Sequence, residues 1–320
     1  MIRYTSFMKP MIDDFIKYQT ASQCWSENPF GRNLKTFENH CLKNFPNQNK
    51  LTQEMVNSWC TQRDTELNKS YITRIKVVVL FLKYTNLRGL TNLTVPEFPK
   101  AEKITYIPHA FTKEELKNFF YACDNIEIKI KRKDVIANQI MIPVLFKLLY
   151  STGMRTIEAR LLKKENVDLK NGIISIENSK GYNQHYIALH ESMKKVLINY
   201  ESEISKIYPN RIYFFPNKKD SYHRKDWINI NFKKLWNKYN KSYAVPYDLR
   251  HNYAITNINN WVNTDINFTA QLYYLSKSMG HTTIESTKYY YSLVPVIADI
   301  FKNQVNRDFN TLVPEVNEDE

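Results

Sequence analysis

Glycine is scarce in this sequence, and cysteine is never paired. Its 320 residues include six Gly and four Cys. Cys24, Cys41, Cys60 and Cys123 show no C-x-x-C spacing, so neither a zinc ribbon nor a disulfide framework is indicated. They read as small buried hydrophobes of a reducing compartment. No apolar run approaches the roughly 20 residues of a membrane span. The opening MIRYTSFMKPMIDDFIKY carries Asp13 and Asp14 where a secretory leader would be apolar. There is also no internal repeat, low-complexity tract or obvious carboxylate cluster for a metal. These absences imply a soluble, intracellular protein with no membrane partner.

What the chain does have is apolar mass and positive charge. It is 43% hydrophobic with 22 Tyr and 17 Phe, enough for a sizeable core. The net charge is +13, which calls for an anionic partner, most often nucleic acid. The excess is spread out: residues 1–105 carry +6, residues 106–310 carry +11, and the last ten carry −4. At this length two domains are expected, since single cores rarely grow far past 250 residues.

Residues 1–94 read as an all-helical bundle, with helical apolar spacing over Met8–Tyr18, Leu34–Phe45, Leu51–Leu67 and Tyr71–Tyr84. In the last of these, Arg74, Lys76 and Lys83 are candidates to lie against phosphates. Prolines at 96, 99 and 108 make residues 95–109 a linker, with Lys100 and Lys103 placed to pass beside a duplex. From 110 to 310 a second domain is expected. Thr112 with Glu115 is a capping box opening a helix to about Ala122, and Val135–Tyr150 is a buried apolar helix. The period then switches to alternation: Val167 and Leu169, Ile173–Glu177 after the Asn171-Gly172 turn, and His185–Leu189 form a three-stranded antiparallel meander. Helices follow at about 191–204, 226–239, 248–262 and 266–279, and residues 311–320 are an acidic tail. The fold class is therefore mainly α, with one small sheet.

Three stretches carry chemistry. One is Thr152-Gly153-Met154-Arg155-Thr156-Ile157-Glu158, and the second is Tyr247-Asp248-Leu249-Arg250-His251. In the third, Gly280-His281 precedes a capping box of Thr282 and Glu285, with Tyr290 about eight residues into the helix, roughly 12 Å from its start. Lys180 stands in Ser179-Lys180-Gly181, between the second and third strands. In this order and spacing the chain resembles the tyrosine recombinase (phage integrase) family from about Pro108 to about Asn310.

The resemblance implies DNA strand cleavage and rejoining. Tyr290 is the expected nucleophile. Arg155 and Arg250 are the expected cations on the scissile phosphate, suited to it because guanidinium forks stay charged and bond two oxygens at once. Lys180 is the implied acid for the leaving oxygen, His281 completes the set, and Glu158 and His251 support it. Tyr289 and Tyr291 lie about 100° away around the helix and should not replace Tyr290. The implied product is a 3′-phosphotyrosyl link, formed with no metal and no nucleotide cofactor. Implied partners are double-stranded DNA sites, a homotetramer assembled on them, and accessory DNA-bending or directionality proteins, in a cytoplasmic, nucleoid-associated setting. The segment Leu293–Phe309 would pack on a neighbouring subunit, and no room remains for an amino-terminal arm-binding domain. One position departs from the family: Tyr247 stands where histidine is usual, and a phenol is a poor base near neutral pH, so His281 or His251 is expected to compensate. Two other readings stay open, a catalytically impaired DNA-binding protein of the same fold and a type IB topoisomerase-like relaxing enzyme.

Overall fold

The computed structural model describes residues 2–22, 24–25, 27–99, 106–128, 130–177, 184–261 and 268–281. The chain divides into two compact units, Met1–Tyr106 and Ile107–Glu320. Lys100, Lys103, Lys180, Tyr290, the helix start at Thr282, the segment Leu293–Phe309 and the acidic tail lie outside the described residues. The rest is mainly α-helical with one three-stranded antiparallel sheet, as the periodicities imply.

The first unit is a helical bundle. Helix α1 spans Lys9–Ala21, a π-helical turn Glu27–Gly31 leads into α2 (Arg32–Asn44), and α3 (Gln53–Cys60) and α4 (Asn68–Leu87) follow. Their apolar stripes meet in a core of Ile12, Phe15, Leu34, Phe37, Met55, Val78 and Phe81. Thr52 starts α3 by accepting the Met55 N–H at 3.4 Å.

Two expectations for this unit fail together. Helix α3 does not run on to Leu67, and Arg74 does not face outward. Arg74 is 8% exposed. Its Nε and Nη2 donate to the two Glu66 carboxylate oxygens at 2.8 and 2.7 Å, a forked pair. The same guanidinium donates to the carbonyls of Trp59 and, at 3.1 Å, Thr61, and it lies 5.0 Å from the Trp59 ring centroid. The side chain that was to meet phosphate instead caps the end of α3 and fastens the 61–67 loop. A helix end leaves carbonyls without partners, and a cation arriving from α4 satisfies them. Lys76 and Lys83 are exposed.

In the second unit, α5 (Lys113–Asp124) opens with the expected capping box: Glu115 N–H to Thr112 Oγ1 at 3.1 Å, Thr112 N–H to Glu115 Oε2 at 2.9 Å. Helix α6 (Lys133–Thr152) is the centre of the core. It is apolar enough over its 20 residues to cross a bilayer on composition alone, longer than the sequence reading allowed. Here that character is used against α5, α8 and α10, which pack on it. After α7 (Thr156–Leu161) come β1 (Val167–Asp168), β2 (Ile173–Ile176) and β3 (His185–Ala188), paired in the order β1-β2-β3 with Ile176 opposite His185. Ile174, Ile176 and Ile187 turn inward. Then follow α8 (Glu191–Ile207), α9 (Trp227–Tyr239), α10 (Asp248–Trp261) and α11 (Phe268–Ser278). Helix α9 packs on α5 through Phe232 and Trp236, and α11 packs on both α10 and β3.

Because Arg74 holds a nearly buried carboxylate and two loop carbonyls, Arg74→Met is expected to destabilise the first unit by about 3 kcal/mol, the scale for breaking a buried pair from one side. Lys83→Met, at an exposed position, should stay within about 0.5 kcal/mol. Urea unfolding measures both. A loss below about 1 kcal/mol for Arg74→Met contradicts this assignment.

Candidate active site

Helix α6 ends at Gly153, whose φ of +62° lets the chain reverse. A Cβ at that position would come 2.4 Å from Tyr253 Cδ1 on α10, so the turn and α10 are in direct contact. Two residues on, Arg155 precedes the first turn of α7, and Glu158 reaches back to it from three residues further along. The Glu158 side chain is buried. Its Oε2 accepts the Arg155 N–H at 2.7 Å and its Oε1 accepts from Arg155 Nη1 at 2.6 Å. The pair is an anchor for the guanidinium, held under the helix start.

The other end of Arg155 donates from Nη2 to the Gly280 carbonyl at 2.7 Å. Arg250, near the start of α10, is 2% exposed. Its Nη1 donates to Gly153 O and its Nη2 to Met279 O, each at 2.7 Å. The two guanidiniums therefore end on consecutive carbonyls of a single turn, and Arg250 also holds the turn that presents Arg155.

His281 follows directly, with its N–H on Ser276 O at 2.9 Å. Burial pushes its imidazole pKa down to about 4, helped by the positive charges of Arg250 and Arg155 and by His185 and His251. His251, also buried, is lowered mainly by burial, with Asp248 opposing and Arg250 adding to the effect. Both rings are neutral near pH 7. Tyr247 lies at the rim, 42% exposed, its ring edge-on to His251 at 5.1 Å between centroids.

Of the residues singled out in the sequence, the structure brings together Arg155, Glu158, Arg250, His251 and His281, with Tyr247 beside them. Lys180 and Tyr290 lie outside the described residues. Lys76 and Lys83 belong to the other unit. Among the described residues, no group of three or more His, Cys, Asp or Glu side chains is arranged to hold a metal ion.

Two features of this region went unread in the sequence. His185, the first residue of β3, lies against Gly280, where an added Cβ would come 2.5 Å from its Cε1. Next to Thr156 and Tyr247 is a cavity of about 720 Å³ lined by Asn229, Lys233 and Asn237 from α9 and by Lys241 and Tyr243 after it. The spacing of Asn229, Lys233 and Asn237 at i, i+4 and i+8 puts them on one face. That signal is visible in the sequence, but the neighbour it faces is not.

The neutral histidines make stability depend on pH. The unfolded chain takes a proton on His281 near its ordinary 6.5, whereas the folded chain resists until about 4. The unfolded state is therefore the one favoured by acidification, and stability present above 6.5 is lost between 6.5 and 4. His223, lowered to about 4 chiefly by burial, adds to the same slope. Urea midpoints measured across that window should fall with pH, and His281→Gln should flatten the fall. Equal slopes for the two proteins contradict burial of a neutral imidazole.

Residues 109–295 match the model of the phage integrase family. The putative integrase/recombinase y4rE of Sinorhizobium fredii is 25% identical over 198 residues, which cover 60% of this chain and 62% of that protein. The chain thus spans less than two-thirds of that relative. Tyrosine recombinase XerA of Pyrococcus furiosus is 26% identical over 234 residues, 69% of this chain and 71% of that one. Among solved structures, a lambda integrase dimer bound to a COC′ core site is similar with a TM-score of 0.61 at 14% identity, covering 88% of this chain and 94% of that one. A lambda integrase tetramer bound to a Holliday junction is similar at 0.57 and 13%, covering 86% and 77%. With more than half its length matched by the family model around this cluster of arginines and histidines, the chain belongs to the phage integrase family.

Proposed function

We propose that this protein is a site-specific DNA recombinase that cleaves and rejoins strands through a tyrosyl–phosphate link. The observation that carries the reading is the arrival of Arg155 and Arg250 on the adjacent carbonyls of Met279 and Gly280. Arg155 is anchored on the Glu158 carboxylate, and both guanidiniums also reach carbonyls of the same turn. A dianionic phosphorane-like group gives each guanidinium charge-assisted, forked bonds in a water-poor setting.

In the proposed reaction the Tyr290 oxygen bonds to phosphorus as the bond from phosphorus to the 5′-oxygen breaks. Arg155 and Arg250 take the two non-bridging oxygens. Lys180 gives a proton to the departing 5′-oxygen. The phenol must lose its own proton, since at its ordinary pKa of about 10 it is a weak nucleophile. With Tyr247 in place of a base, neutral His281 or His251 is the acceptor, and a phosphate anion nearby would raise the pKa of either ring. The link keeps the bond energy, so attack by a 5′-hydroxyl of a second duplex reverses the step without a nucleotide. By analogy with the lambda integrase tetramer, the working form is a homotetramer on two DNA sites, assisted by DNA-bending or directionality proteins, in the cytoplasm at the nucleoid.

The α9 rim of the cavity beside Tyr247, with Lys233 and Lys241, is the proposed contact surface for a duplex entering the site. Asn229, Lys233 and Asn237 span about 12 Å of α9, the width of a major groove. Lys234 and Lys238 sit on the same helix but line a different cavity, facing α5. Lys76, Lys83, Lys100 and Lys103 remain proposed phosphate contacts of the first unit and the linker.

Incubation with a nicked duplex that traps the intermediate should give a covalent protein–DNA species on a denaturing gel. Tyr290→Phe should abolish it, while Tyr289→Phe and Tyr291→Phe keep it. DNA binding without any adduct, or an adduct surviving Tyr290→Phe, contradicts the proposal. In binding titrations, Lys233→Ala with Lys241→Ala should lower the slope of log affinity against log salt by about 1.8, roughly 0.9 per phosphate contact. Lys234→Ala with Lys238→Ala should lower it by less than half as much. Equal effects would remove α9's inner edge from the DNA surface.

A further inference from the structure

Another cavity of the second unit, about 550 Å³, shares no residue with the arginine site or with the cavity beside Tyr247. It opens between the start of α6, the end of α8 and the start of α9. Its apolar wall is Ala137, Tyr208, Pro216, Trp227 and Ile230. The volume lies within the roughly 300–1,000 Å³ of cavities that bury a small ligand. The His223 imidazole stacks on the Trp227 indole, 3.7 Å between centroids and 18° between planes. Lys133 Nζ stands 4.8 Å from the Tyr208 ring centroid. Asn138, on the α6 side, has no hydrogen-bond partner for its amide among the described residues.

The spare charge at this cavity is positive. Asp134 is paired with Arg132, and Asp226 with Arg224. That leaves Lys218 and Lys219, neither of them in an ion pair among the described residues. A well-bonded loop carries both lysines. Asn217 Oδ1 accepts the N–H groups of Lys219 at 2.7 Å and Ser221 at 3.2 Å, and its Nδ2 donates to Tyr222 O at 2.6 Å. Arg160 Nη1 donates to His223 O at 2.9 Å and lies over the Tyr222 ring, 5.2 Å from its centroid. Cation and ring therefore alternate beyond the lining of the cavity itself. Flat faces, a free amide and unpaired ammonium groups match a nucleotide: stacking for the base, hydrogen bonds for its edge, cations for its phosphates. Inside a duplex both faces of a base are covered by its neighbours, so these rings can serve only an unstacked one.

We propose that this cavity holds an unpaired nucleotide of a single DNA strand, its base against Tyr208 and Trp227 and its phosphates toward Lys218 and Lys219. The continuation through Arg160 and Tyr222 argues for a strand over a free nucleotide. The site does not depend on the reading of Tyr290 or of the two arginines, and its failure would leave that reading untouched.

Fluorescence anisotropy of the full chain tests it with a labelled strand of about eight thymidylates, within the usual site size for single strands. An abasic strand of the same length and charge and a mixed-sequence duplex are measured beside it. The wild-type protein should bind the thymidylate strand at least about fivefold more tightly than the abasic one, the lower end of what stacking one base contributes. Ile230→Glu puts a negative charge on an exposed position of the wall and should bring that ratio near one. Taken within one protein, the ratio cancels any misfolded fraction. Lys218→Ala with Lys219→Ala should lower the salt slope for the strand by about 1.4, roughly 0.7 per phosphate contact, and leave duplex affinity nearly unchanged. A strand bound no better than the abasic one, a preference that survives Ile230→Glu, or equal losses on strand and duplex overturn the proposal. So does displacement by dTMP at concentrations no higher than the unlabelled strand needs, which makes the ligand a free nucleotide. Equally effective displacement by a Glu-rich peptide carrying one Phe assigns the cavity to a protein partner instead.

Discussion

A buried guanidinium is the constraint on which the second unit's site depends. Arg250 bonds at once to Gly153 O and Met279 O, carbonyls contributed by the end of α6 and the end of α11. Removing a charge from water costs several kcal/mol unless strong partners replace the solvent. The fold supplies those partners by closing both turns on the cation. Arg155 is thereby carried to the next carbonyl, Gly280 O, with Glu158 fixing its other end. Glycine at 153 and 280 follows from the same crowding, because a side chain at either would strike Tyr253 or His185.

That closure also sets the electrostatics. Two cations and three imidazoles share one largely buried region, and the rings of His281 and His251 respond by staying neutral: His281 is held at about 4. Positive charge is thus concentrated in the guanidiniums, which cannot give it up, while the histidines remain able to take a proton. The Glu158 carboxylate balances one of the two charges, and carbonyl dipoles of Gly153, Met279 and Gly280 hold further donors of both guanidiniums in place.

Much of this was legible in the chain. Helix starts at Thr52 and Thr112 announce themselves through residues within one turn, and Asn171-Gly172 marks a hairpin locally. The ladder, however, closes at Asp168 opposite Ile173, so the loop is the four residues 169–172 rather than the two-residue turn expected, and Leu169 lies in it rather than in the strand. Arg155, Arg250 and His281 were readable from short motifs because each sits at a turn or a helix start. What escaped depended on residues distant in sequence. Helix α3 stops at Cys60 because Arg74, a full helix later, supplies donors to its last carbonyls and pairs with Glu66. From sequence alone that arginine looks like any solvated cation on an amphipathic helix. His185 and the inner face of α9 escaped for the same reason, since their meaning comes from Gly280 and Tyr247 across the fold.

The central claim is that Arg155 and Arg250 serve one phosphorus atom. A structure of Tyr290→Phe bound to an intact duplex tests it most directly. Guanidinium nitrogens of both residues are expected at about 2.7–2.9 Å, the range for charge-assisted bonds, from the two non-bridging oxygens of a single phosphate. Arginines still confined to the Met279 and Gly280 carbonyls in a bound duplex, or reaching two different phosphates, would contradict it.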